Sequence, residues 1–98
     1  MKLVFLGDST MQNNDANTYP QVGWVQALPL FILDDIKIVN FAKNGCSTKS
    51  FIDLGLFRKA LLTIDSGDYC FIQFGHNDAK EDNPLRYTEP NTTYKENL

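Results

Sequence analysis

Three short polar segments carry residue types that could do chemistry. Gly7-Asp8-Ser9-Thr10 sets a serine hydroxyl beside a carboxylate. Asn40-Phe41-Ala42-Lys43-Asn44-Gly45-Cys46-Ser47 sets a glycine among small polar groups. Gly75-His76-Asn77-Asp78 carries an amide, a carboxylate and the chain's single histidine. Each segment alone reads as a turn, and the histidine alone as a loop residue without a role. Together they suit acyl transfer. A serine at a strand-to-loop turn is exposed and held at one point, as a nucleophile must be. Glycine lets a ligand approach its N–H closely, because no Cβ blocks the way. An asparagine amide is a neutral donor, suited to a developing oxyanion. Ser9 therefore reads as a nucleophile, with the Ser9 N–H, the Gly45 N–H and the Asn77 side chain as an oxyanion hole.

Such a site needs elements that bring the three segments to one place. Lys2 to Leu6 is a short apolar run ending at Gly7, the pattern of a buried strand. Asp8 to Tyr19 is polar and reads as a surface loop. From about Gly23, Trp24, Val25, Leu28, Phe31 and Ile32 predict one helical face, with Pro29 removing a hydrogen bond inside it. Ile36 to Phe41 is rich in β-branched residues and predicts a second strand. Ser50 is expected to cap a helical turn over 51–54, broken at Gly55, before an amphipathic helix over 56–64. Tyr69 to Phe74 reads as a strand covered on both faces. Residues 79–92 form a loop, and Thr93 with Glu96 predicts a capping box that starts a helix at Tyr94. Alternating strands and helices argue a parallel sheet with helices on both faces. Such sheets place their chemistry at the carboxyl ends of the strands, where all three polar segments fall.

Composition excludes several classes. At 98 residues the chain is one small domain at most. A net charge of −3 leaves no basic footprint for nucleic acid. No apolar run approaches the roughly 20 residues of a membrane span. The N-terminus has no signal-peptide pattern, so the cytoplasm is the expected compartment. Asn91-Thr92-Thr93 matches a glycosylation acceptor that would be idle there. Of two cysteines, Cys70 is expected buried and Cys46 the more exposed, with no disulfide between them.

The three segments resemble the serine, glycine and G-x-N-D blocks of the SGNH (GDSL-type) hydrolases. Gly7-Asp8-Ser9-Thr10-Met11, Gly23-Trp24, the Asn40, Ala42, Gly45 and Ser47 spacing, Ser50-Phe51, and Gly67-Asp68-Tyr69 through Phe74-Gly75-His76-Asn77-Asp78 resemble its rhamnogalacturonan acetylesterase-like branch. The resemblance implies a flavodoxin-like, three-layer α/β/α fold, here incomplete with about three strands in the order 2-1-3. It implies Ser9 as nucleophile and Ser9, Gly45 and Asn77 as oxyanion hole, with Asp8, Thr10, His76 and Asp78 in supporting roles. It implies acetylated, pectic-type sugars or short oligosaccharides as substrate, with no metal or organic cofactor and neither nucleic acid nor membrane as partner.

The family's C-terminal Asp-x-x-His block, which supplies the catalytic acid and base, is not in these residues. His76 belongs to the third block and reads as a structural hydrogen-bonding residue, and Asp8 as a loop organiser. Residues 1–98 therefore read as the N-terminal part of a single SGNH hydrolase domain, inactive alone, since a serine without a base is a weak nucleophile. The strand over 69–74 would then be an uncovered apolar edge, open to self-association. Three other functions compete: a lipase or thioesterase of the same superfamily, a catalytically incomplete relative that binds sugar without turnover, and a small-molecule binder whose Ser9-Thr10 loop cradles the phosphate of a flavin.

Overall fold

The computed structural model describes residues 1–15, 17 and 20–98. Ala16, Thr18 and Tyr19, part of the loop expected over 8–19, lie outside them. Three strands form: β1 (Lys2–Gly7), β2 (Lys37–Asn40) and β3 (Tyr69–Gln73). They make one parallel sheet in the order β2-β1-β3. Val4 of the central strand pairs with Val39 on one side and Cys70 on the other.

Alternation along β1 builds two cores. Val4 and Leu6 face α1 (Thr48–Asp53) and α2 (Leu56–Thr63), packing with Cys46, Phe51 and Ala60. Phe5 faces the other way, onto Met11, Val25 and Ala42. That second face is covered by a 3-10 helix, Trp24–Leu30, and the order of layers is helix, sheet, helix. Phe5 stacks on Phe71 at 5.0 Å and meets Trp24 edge-on at 5.6 Å. The sheet thereby fixes the 3-10 helix against the strand that ends at the candidate site.

Local chemistry explains where the elements differ from expectation. The segment from Gly23 is 3-10 rather than α, and Pro29 lies inside it. It stops at Leu30, and Phe31 leaves helical geometry at φ −120° and stands 80% exposed. Of the expected apolar face, Val25 and Leu28 enter the core and Trp24 packs edge-on against Phe5, while Phe31 does not. Ser47, not Ser50, caps α1. Ser47 Oγ accepts from the Ser50 N–H at 3.1 Å, and Ser50 Oγ accepts from the Ser47 N–H at 2.8 Å. Ser50 is the other half of the box. Thr92 rather than Thr93 stands at the N-cap position of the helix α3 (Thr93–Asn97), without a side-chain capping bond. Thr93 Oγ1 is occupied instead, accepting from the Glu89 N–H at 2.7 Å.

Two burial expectations reverse. Every residue of β3 is exposed, so the strand is not covered on both faces, as its composition suggests, but is the uncovered edge that the 2-1-3 order implies. The helices close over β1, and β3 stands at the edge of the sheet. For the same reason Cys70 is exposed, while Cys46 is buried in the turn leading into α1. Both thiols are free. No helix among the described residues is long and apolar enough to cross a membrane.

Candidate active site

The carboxyl ends of the three strands meet around Gly7. Its carbonyl accepts from the Lys43 N–H at 3.1 Å, and it lies in register with Gln73. A Cβ on Gly7 would lie 2.9 Å from the Gln73 carbonyl and collide with Met11 Sδ. Glycine is what lets the three loops leave the sheet side by side.

The loop after β1 is held from several sides. Asp8 is buried, and its Oδ1 accepts from Thr10 N at 3.0 Å and Thr10 Oγ1 at 2.9 Å. Its carbonyl accepts from the N–H groups of Met11 and Gln12. The Trp24 N–H donates to the Thr10 carbonyl at 2.8 Å, and Trp24 Nε1 donates to Gln73 Oε1 at 2.9 Å. Asn40 Nδ2 donates to the Met11 carbonyl at 2.7 Å. Ser9 rides on this frame, half-buried, and neither its hydroxyl nor its N–H has a hydrogen-bond partner among the described residues. Asp8 is thus a loop organiser, with Thr10 as its partner.

The loops after β2 and β3 are tied directly. Asn77 is buried, and its Nδ2 donates to the Cys46 carbonyl at 3.0 Å. Its Oδ1 accepts from Arg86 Nη1 at 3.4 Å. A carbonyl on one side and a guanidinium on the other fix which way the amide faces. One amide hydrogen is spent on Cys46 and the other remains. Gly45 sits at φ +79°, and its N–H also has no hydrogen-bond partner among the described residues. A Cβ at Gly45 would lie 3.3 Å from the Arg86 guanidinium. Burial pushes the Cys46 thiol up, while the Ser50 hydroxyl and the Lys43 and Arg86 charges pull it down and Asp8 adds to the rise. Groups from the first two loops and from residue 86 thus act on one buried atom.

Asp78 is buried and does structural work. It accepts from Thr48 N at 2.9 Å, Thr48 Oγ1 at 2.5 Å and Thr88 Oγ1 at 2.7 Å. It therefore joins the third block to the start of α1 and to the following loop. His76 departs from expectation: it is exposed and makes no hydrogen bond among the described residues. No cluster of three or more metal-ligating side chains occurs among the described residues.

Sequence reasoning missed three contributors. Gln73 was legible only as the polar exception in an apolar strand, yet it anchors Trp24 beside the Ser9 loop. Thr88 and Arg86 lie in a Pro-bounded polar loop where nothing in the pattern singles them out. Only the folded chain shows Arg86 against Gly45 and Asn77.

Residues 3–98 match the GDSL-like lipase/acylhydrolase family. The probable rhamnogalacturonan acetylesterase YesY of Bacillus subtilis is 44% identical over 92 residues, covering 94% of this chain and 42% of that protein. The rhamnogalacturonan acetylesterase RhgT of the same organism is 38% identical over 96 residues, covering 97% of this chain and 40% of that one. The crystal structure of Bacillus subtilis YxiM superposes with a TM-score of 0.71 at 33% identity, over 83% of this chain and 23% of that one. The chain spans about two fifths of the length of the two acetylesterases.

Proposed function

Since the chain belongs to the GDSL-like lipase/acylhydrolase family, we propose that it is the nucleophile-bearing part of a serine esterase that removes acetyl groups from acetylated, pectic-type carbohydrate. Ser9 Oγ attacks the acetyl carbonyl. The Ser9 N–H, the Gly45 N–H and the remaining Asn77 amide hydrogen receive the oxyanion. The observation that carries this reading is the meeting of the three strand ends, with donors there that the fold leaves unspent. The two acetylesterase relatives support acetylated sugar over a long-chain lipid.

A tetrahedral intermediate also needs a base to take the Ser9 proton and return it to the leaving sugar oxygen. His76 stands exposed and unengaged, and Asp8 is committed to the Thr10 turn. On this reading the base is supplied by the Asp-x-x-His block that the resemblance implies, a pattern these 98 residues do not contain. The test compares the rate of ester hydrolysis, read as the acid released, for a short chromogenic acetate ester, a long-chain acyl ester and acetylated rhamnogalacturonan. A chain carrying that segment is expected to prefer the acetates, and residues 1–98 alone to release nothing that depends on Ser9. Preference for the long-chain ester would favour the lipase reading instead.

A further inference from the structure

Arg86 sits on a loop that is pinned on either side of it. Lys49 Nζ, from α1, donates to the Pro84 carbonyl at 2.7 Å, and Thr88 Oγ1 donates to the buried Asp78 carboxylate at 2.7 Å. Between those points the N–H groups of Arg86 and Tyr87 both donate to the Asn83 carbonyl, at 3.0 and 2.9 Å. Arg86 is half-buried and pairs with no carboxylate among the described residues. Its guanidinium meets Asn77 and Gly45 instead. Nη1 donates to Asn77 Oδ1 at 3.4 Å. At Gly45, the place of a Cβ lies 3.3 Å from Nη2, 3.5 Å from Cζ and 3.7 Å from Nη1. Three nearly equal distances set the flat of the guanidinium against that glycine. One cation thus touches both of the residues that the oxyanion hole draws from the second and third loops.

Each of these donors gains from that contact for its own reason. Gly45, at φ +79°, has backbone freedom that other residues lack, so its N–H stays aimed only if something holds the peptide. The guanidinium fills the side of Gly45 that a side chain would otherwise occupy. For Asn77, a cation on the carboxamide oxygen draws charge from the amide and makes its N–H groups stronger donors. We propose that Arg86 is a positioning residue of the oxyanion hole, which braces Gly45 and polarises Asn77 and acts through them rather than on the reacting atoms. This rests on the esterase reading and deepens it. Donors fixed before charge develops stabilise the transition state more than the bound ester. Loss of Arg86 should therefore fall on the chemical step and not on substrate binding.

Arg86→Gln and Arg86→Lys test this in a chain that carries the Asp-x-x-His block. With a short chromogenic acetate ester, Arg86→Gln is expected to lower kcat by about 10–100-fold, the size of a lost charge-assisted bond, with KM within about twofold. Arg86→Lys should recover part of that loss, because it keeps the charge without the planar fork. In an Asn77→Ala background the Arg86→Gln change should cost about threefold or less, because part of its route is already gone. By NMR, the Asn77 side-chain NH2 protons should move upfield in Arg86→Gln, where no cation draws on the amide. If Arg86→Gln proves unfolded by circular dichroism, Arg86→Lys is read in its place, and a lower kcat at unchanged KM is again expected. Full kcat in the folded variant that is read, a loss confined to KM, an equal cost in the two backgrounds, or unmoved Asn77 protons would overturn the role. No Ser9-dependent hydrolysis by the wild type would overturn the esterase reading, and this role with it. Hydrolysis that Ser9→Ala abolishes but a folded Arg86→Gln retains in full would overturn this role alone.

Discussion

Asn77 Nδ2 donates to the Cys46 carbonyl at 3.0 Å, joining the loop after β3 to the loop after β2 beside Gly45. The bond spends one amide hydrogen on structure and leaves the other for chemistry. Asn77 is therefore both a brace and a donor, and its removal should show both effects.

Asn77→Ala is expected to lower kcat by roughly 10²–10³ with a smaller change in KM, as loss of one oxyanion donor does. It should also destabilise the fold by about 1–3 kcal/mol, because the Cys46 carbonyl loses its partner. Steady-state kinetics and urea unfolding read the two separately. Full kcat would remove Asn77 from the oxyanion hole.

Gly45→Val should be strained twice. Its φ of +79° disfavours a β-branched residue, and the new Cβ would press on the Arg86 guanidinium at 3.3 Å. Loss of turnover and a lower melting temperature are expected. Unchanged turnover would count against Gly45 as part of the site.

The pH dependence of stability should have an acid limb set at the amino end of the sheet, away from the site. The N–H groups of Asp65 and Lys2 and the Lys2 ammonium hold Asp68 at about 2, below its usual 3.8. A depressed carboxylate stabilises the fold above its unfolded pKa and stops doing so as pH falls through the folded one. Stability from this group should thus be lost between about pH 4 and pH 2, and Asp68→Asn should flatten that limb. The same cluster raises the Lys2 pKa, chiefly through Asp65 and then Asp68. That contribution is present below the usual 10.5 and is lost at still higher pH. Identical acid limbs in wild type and Asp68→Asn would refute the assignment.

The outer edge of β3 should drive self-association of the isolated chain. Tyr69 is 60% exposed, Phe71 44% and Ile72 49%, with no charged residue in the strand to block pairing. Sedimentation should show concentration-dependent oligomers that Ile72→Lys reduces. A monodisperse wild-type monomer would contradict this.

What the sequence discloses follows from how local each signal is. Glycine before Asp8-Ser9, the β-branched run of β2 and the alternating order of elements depend on neighbours in the chain, and these placed the sheet and the three strand ends. Burial depends on what lies opposite. An apolar strand such as Tyr69–Gln73 looks like core by composition, yet it stands at the sheet edge and is exposed. Cys46, in a Gly/Ser-rich stretch, looks like surface and is covered by the start of α1. Ser47 and Ser50 each resemble a cap, and only the fold decides that Ser47 takes the position. Arg86 carries no local signal, because its meaning comes from Gly45 and Asn77, 41 and nine residues away.

Acetate release from acetylated rhamnogalacturonan tests most directly whether Ser9 is the nucleophile of an acetyl transfer. In a chain that carries the Asp-x-x-His segment, the wild type should release acetate. Ser9→Ala should lose that activity by about 10⁴-fold or more while remaining folded. Equal release by the two proteins, or none by the wild type, would contradict the account.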